Sequence, residues 1–239
     1  MPDPWEDPPE TEHYFVERPR VASQRRLLHF LYRGVRISVA VDRGVFASTA
    51  LDPGTALLIE ALDPRPADRV LDLGCGWGAI GIAAARAAPD GHVILTDVNR
   101  RAALLARSNL RRNDLSNAEV RIGPGFEPVE EERFDLIATN PPYHAGRALI
   151  LSLLEEAPRH LTASGRLLLV GKGSQGIRFY QRWLAERWTA PIEVRARGGG
   201  YRVLEATAPT LRSADPPPGP VRRSIPSKRQ SPNADSRSS

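Results

Sequence analysis

The chain has 239 residues, 41% of them apolar, which is enough to bury one sizeable α/β core and leaves little room for a second folded domain. A single cysteine, Cys75, excludes an intramolecular disulfide and a cysteine-cluster metal site, and no apolar run approaches the roughly 20 residues that span a bilayer. The net charge of +5 is unevenly spread: residues 1–13 carry five acidic groups and no Lys or Arg, residues 209–239 carry six basic groups against two acidic ones, and the stretch between them is basic in its own right.

The start, MPDPWEDPPETEH, is acidic and Pro-rich rather than basic then apolar, so it reads as a disordered terminus and the protein as cytoplasmic. Residues 14–43 then hold seven arginines against Glu17 and Asp42, an excess able to meet phosphates, although ordinary surface solvation gives the same count. Two apolar runs around Arg33-Gly34 in residues 27–41 predict a β-hairpin ahead of the main sheet. From residue 54 helical and strand patterns alternate: TALLIEAL, RVLDLG, AIGIAAARAA, HVILTD, RRAALLARSNLRRN. Strands follow at 119–122, 134–139 and 166–170, with helices at 147–160 and 175–188. The last two strands, 192–197 and 201–208, flank Gly198-Gly199-Gly200, a hairpin turn that makes them antiparallel at one sheet edge. The alternation predicts an α/β fold with a seven-stranded, mostly parallel, doubly wound sheet over residues 14–208. Residues 209–239, dominated by Pro, Ser and charge, read as a disordered basic tail.

Two motifs carry chemistry. Asp72 ends the first sheet strand and is followed by Gly74, Gly76 and Gly78, which let the backbone turn sharply and approach a ligand at the N-terminus of the next helix. Asp97, at the tip of the second strand, suits a ribose diol. Gly74, Gly76 and Ala79 also satisfy G-x-G-x-x-A, which keeps a nicotinamide dinucleotide open, and a tight strand-to-helix turn alone would use the same glycines. A carboxylate at Asp72 would repel a pyrophosphate but suits a cationic amino-acid moiety such as that of S-adenosylmethionine. The second motif, Asn140-Pro141-Pro142-Tyr143, follows the buried run FDLIAT and has no evident use in a dehydrogenase. The Asn140 side-chain oxygen and the Pro141 carbonyl can accept the two N–H groups of a planar amine, the prolines restrict the backbone, and Tyr143 can stack on a base or simply pack over the sheet edge. The catalytic set expected is therefore Asn140, Pro141, Pro142 and Tyr143. The cofactor set is Asp72, Gly74, Gly76, Gly78, Asp97 and Asn140, with no metal.

VLDLGCGWGAIGI (70–82), TDVN (96–99) and FDLIATNPPYHAG (134–146) resemble class I S-adenosylmethionine-dependent methyltransferases. With GVFASTALDPGT (44–55) and RGGGYRV (197–203), the chain is similar to the methyltransferase-small group, which includes 16S rRNA guanine-N2 methyltransferases. The resemblance covers roughly residues 13–208. It implies S-adenosylmethionine as cofactor and an exocyclic amine of RNA as acceptor, guanine N2 of ribosomal RNA or of the small ribosomal subunit first. It also implies that residues 44–55 cover part of the pocket, with Phe46 and Asp52 the residues of interest, although LDPGT is also a good turn and helix start. Adenine-N6 or protein glutamine methylation uses the same tetrapeptide, and a non-catalytic RNA-binding assembly factor could keep the fold. Release-factor enzymes begin with a helical domain, which the hairpin here does not match. The group's larger members carry an extra N-terminal half, and relatives often place an acidic residue where this chain has Gly123-Pro124-Gly125, so adenine contacts stay unassigned. His144 can meet phosphate or base or be a surface loop histidine, and Lys172 and Arg202 can meet the RNA backbone or be ordinary solvated charges. The sequence does not set the oligomeric state.

Overall fold

The structure, a computed structural model, describes residues 24–208 apart from 44, 46 and 48. The expected disorder over residues 1–13 and 209–239, and the expected role of Phe46, fall outside the described residues. Among the described residues no helix is long and apolar enough to cross a membrane.

The chain opens with strands β1 (Arg26–Tyr32) and β2 (Val35–Val41), joined through Arg33 and Gly34. Both turn residues have positive φ, 50° and 78°, the geometry a two-residue hairpin needs to match strand twist. Helix α1 (Pro53–Ala61) leads to β3 (Arg69–Leu73), α2 (Ala79–Ala87), β4 (His92–Asp97), α3 (Arg100–Arg112), β5 (Ala118–Ile122) and β6 (Phe134–Thr139). Then come α4 (Arg147–Glu156), β7 (Leu161–Lys172), α5 (Ile177–Arg187), β8 (Ile192–Gly198) and β9 (Tyr201–Thr207). The sheet order is β5-β4-β3-β6-β7-β9-β8, parallel as far as β7, with β9 antiparallel to both its neighbours.

Central strands buried on both faces explain the continuous apolar runs. Along β3, Val70 points into a core shared with α1, α2, α3 and the hairpin, and Leu71 into a second core beneath α4 and α5. Leu136, Ile137 and Ala138 of β6 alternate in the same way, as do Leu167 to Val170 of β7. Each such fully buried Leu or Ile is worth roughly 1.5–3 kcal/mol, so the core, rather than helix propensity, fixes the layers.

Strand β7 starts five residues before the predicted 166, at Leu161. Leu161 pairs with Phe134, and the register then shifts so that Leu136 meets Arg166; the polar stretch between reads as a turn in sequence. The hairpin is fastened by side chains rather than by another strand. Asn109 of α3 donates to Ala40 O at 2.8 Å and accepts from Ala40 N at 2.7 Å, and Asn113, one turn later, donates to Ser38 O at 2.8 Å. Two helix amides thus satisfy the free edge of β2.

Candidate active site

The carboxyl ends of β4, β3 and β6 lie side by side, where ligands collect in an open α/β sheet. Asp72 stands level with Leu95 on one neighbour and with Ala138, two residues before Asn140, on the other. The structure therefore brings Asp72, the glycine turn, Asp97 and Asn140 to one edge.

Asp72 is fully buried, and its Oδ2 accepts the Gly81 amide at 2.8 Å, tying α2 to β3. Its Oδ1 is buried without a hydrogen-bond partner. Burial pushes the carboxyl up to about 7; the Gly81 amide pulls it down, and Asp97 adds a smaller upward push. Past Asp72, Gly74 and Gly76 take φ of 75° and 56°, and a Cβ on either would meet nothing within 4 Å. The turn is held from below, because Gly74 N and Cys75 N both donate to Thr96 O at 2.9 Å. Gly78 caps α2 with a left-handed φ of 93° and offers no side-chain cap to the helix amides. Cys75 is buried, and burial, then Asp72 and Asp97, push its thiol well up, so it is a packing group.

Asp97 accepts the Gly76 amide on Oδ2 at 2.8 Å and the Asn99 amide on Oδ1 at 2.7 Å. Each oxygen keeps a second lone pair. Burial raises its pKa, opposed by those two amides.

On the acceptor side, Thr139 Oγ1 donates to Leu73 O at 2.8 Å and locks the end of β6 to β3. Asn140 Nδ2 then donates to Asp52 Oδ2 at 3.0 Å and to Thr55 Oγ1 at 2.9 Å. A carboxylate accepts only, so Asn140 must turn its NH₂ toward Asp52, and its Oδ1 is left to face away as an acceptor. Asp52 is also the N-cap of α1, accepting Thr55 N at 2.8 Å. Sequence reasoning named Asp52 without a role and missed Thr55; the only signal was the helix start LDPGT.

Pro142, at φ −75° and ψ 80°, makes an inverse γ-turn closed by Tyr143 N donating to Pro141 O at 2.8 Å. The Pro141 carbonyl thus has one lone pair engaged and one left. The Tyr143 hydroxyl donates to Val170 O at 2.7 Å, and its ring lies where Gly171 has no side chain, a Cβ there falling 2.7 Å from Tyr143 Cζ. Burial, with Tyr180 nearby, raises the phenol's pKa, so Tyr143 acts as a neutral donor. His144 is exposed on the loop, and Lys172, exposed at the end of β7, has its Nζ 5.5 Å from the Tyr201 ring centre. Tyr201 also sits against Gly54, where a Cβ would come within 2.7 Å of the ring, so GGGY, LDPGT and NPPY converge on one site.

A family model described as the methyltransferase small domain matches residues 36–205. The chain is 32% identical over 198 residues to an uncharacterized Bacillus subtilis protein, YbxB, covering 82% of this chain and 98% of that one. It is 39% identical over 167 residues to a ribosomal RNA small subunit methyltransferase C from Pseudomonas fluorescens, covering 68% of this chain and 48% of that one. Among solved structures it is similar to a Thermus thermophilus 16S rRNA N2 methyltransferase (RsmC) in complex with AdoMet and guanosine, with a TM-score of 0.69, 28% identity, and coverage of 79% of this chain and 52% of that one. The chain spans about half the length of the ribosomal RNA methyltransferases it matches.

Proposed function

The chain belongs to the methyltransferase small domain family, and from that premise we propose that it methylates an exocyclic amine of RNA, guanine N2 of 16S ribosomal RNA, in the cytoplasm. The observation that carries this reading is the Asn140 amide, whose NH₂ is fixed by Asp52 and Thr55 so that its oxygen is left as an acceptor.

S-adenosylmethionine is the cofactor, and the residues present fit it: an orphaned buried carboxylate oxygen on Asp72, and two glycines whose missing Cβ atoms leave space above the turn. When bound it supplies an electrophilic methyl group on a sulfonium centre. Asp72 Oδ1 would hold the cationic amino-acid end, the Gly74 to Gly78 backbone its flank, and Asp97 the ribose hydroxyls. An exocyclic amine is a poor nucleophile because its lone pair is delocalised into the ring. Asn140 Oδ1 accepts one N–H and the spare lone pair of the Pro141 carbonyl accepts the other, which aims the nitrogen lone pair along one line. The γ-turn at Pro142 keeps these acceptors in place with little entropy left to lose. The exposed face of the Tyr143 ring holds the base, a stack worth about 1–3 kcal/mol. Asn140 is no base and Tyr143 is neutral, so proton loss follows methyl transfer.

Asn140→Ala is expected to abolish turnover while S-adenosylmethionine affinity, read by calorimetry, stays within about threefold, as expected when an interaction made only with the acceptor is removed. Near-normal turnover in this variant would remove Asn140 from the reaction.

A further inference from the structure

Four arginines crowd the sheet edge next to Tyr143. Along β7, residues 167 and 169 point into the core beneath α5, and Gly171 continues that row with Tyr143 lying over it. Arg202 pairs with Gly171 across β7 and β9, and Arg197 pairs with Arg202 across β9 and β8. Partners in an antiparallel pair share a face, so Tyr143, Arg202 and Arg197 form a line running outward over three adjacent strands, about 4.8 Å apart. Arg178 and Arg182 of α5 line an open concavity with Arg202, and Arg202 donates to Gln181 Oε1 at 3.4 Å.

Several arginines elsewhere on the surface have carboxylate partners, Arg33 with Asp63, Arg69 with Glu132, Arg195 with Glu205, and Arg187 on α5 itself with Glu186, while others such as Arg36, Arg111 and Arg112 form no ion pair among the described residues. Arg178, Arg182, Arg197 and Arg202 form no ion pair among the described residues. Partial desolvation, followed by the positive charges of Arg197 and Arg178, lowers the Arg202 pKa below the usual arginine value. Like charges gathered without counter-charges are unfavourable in the free protein and are relieved by a polyanion.

We propose that this face, built by α5 and the β8-β9 hairpin, docks the phosphodiester backbone of the RNA strand flanking the methylated nucleotide; it rests on the RNA reading given above. The guanidinium fork matches phosphate oxygens, and the line of arginines begins one strand away from the ring that would hold the base. Base and backbone are then gripped from one continuous surface, the base over β7 and the phosphates over β9, β8 and α5.

The test is the salt dependence of binding of labelled 16S rRNA, followed by fluorescence anisotropy between about 50 and 200 mM salt. Changing Arg178, Arg182, Arg197 and Arg202 together to Gln is expected to reduce the slope of log K against log salt by about 0.7 for each phosphate that is no longer neutralised, roughly 3 in all. S-adenosylmethionine affinity in that variant should equal the wild type's, which shows an intact fold. Arg111→Gln with Arg112→Gln, exposed at the far end of α3, is the charge-removal control and should leave the slope unchanged. An unchanged slope in the fourfold variant, or an equal fall in the control, overturns the surface while leaving the RNA reading intact. A wild-type protein that binds no RNA at low salt yet methylates a protein overturns the RNA reading and the surface with it.

Discussion

Asp52 Oδ2 accepts three hydrogen bonds, from Thr55 N, Thr55 Oγ1 and Asn140 Nδ2, at 2.8, 3.3 and 3.0 Å. One oxygen therefore both caps α1 and sets which way Asn140 presents its amide. Asp52→Ala is expected to cost about 1 kcal/mol of stability through removal of the cap. It should lower kcat by on the order of a hundredfold through the loosened Asn140, with S-adenosylmethionine affinity nearly unchanged. Asp52→Asn keeps an acceptor oxygen for all three donors, so it should restore most of kcat. If Asp52→Asn is as slow as Asp52→Ala, the charge of Asp52 matters rather than the orientation it imposes, and a wild-type kcat in Asp52→Ala removes its role. The place of Asn140 at the carboxyl end of β6 was legible because its tetrapeptide follows a buried strand. The direction of its amide was not, since its two partners lie 85 and 88 residues away in sequence.

At the level of elements, Asp72 joins β3 to α2 while its burial, with one oxygen unpartnered, raises its carboxyl from an ordinary 3.8 to about 7. Ionisation is harder in the folded than in the unfolded chain. The contribution of this group to stability is therefore full below pH 3.8 and is lost as pH rises to about 7, a change on the order of 4 kcal/mol. Asp72→Asn keeps an oxygen for the Gly81 amide and cannot ionise. Urea midpoints of the cofactor-free proteins between about pH 4 and pH 8 should show the wild type losing stability relative to the variant and levelling off above pH 7. Parallel profiles would mean that Asp72 ionises freely in the folded protein. Strands and helices were legible because central parallel strands are continuous apolar runs and the helices between them alternate regularly. The early start of β7 was hidden because its first five residues carry polar groups and Gly165, and only Leu161 of that stretch pairs with Phe134.

Over the whole molecule, the sheet, the hairpin extension and the meeting of cofactor and acceptor motifs at one edge follow from the order of motifs along the chain. The attachment of the hairpin does not, because Asn109 and Asn113 look like ordinary polar residues of a surface helix until Ala40 and Ser38 are brought against them. Nor does the arginine line, which needs the register of β7, β9 and β8 to place Arg202 and Arg197 beside Gly171. Three stretches distant in sequence, LDPGT, NPPY and GGGY, meet at the proposed acceptor site, which is why no single motif specifies the chemistry. The decisive experiment is transfer of radiolabel from S-adenosylmethionine to 30S subunits, free 16S rRNA and release factors, offered separately, with the product digested to nucleosides or peptides. Recovery of label as N2-methylguanosine is the expected result; label on adenine N6, on glutamine or on no acceptor at all would contradict the guanine assignment.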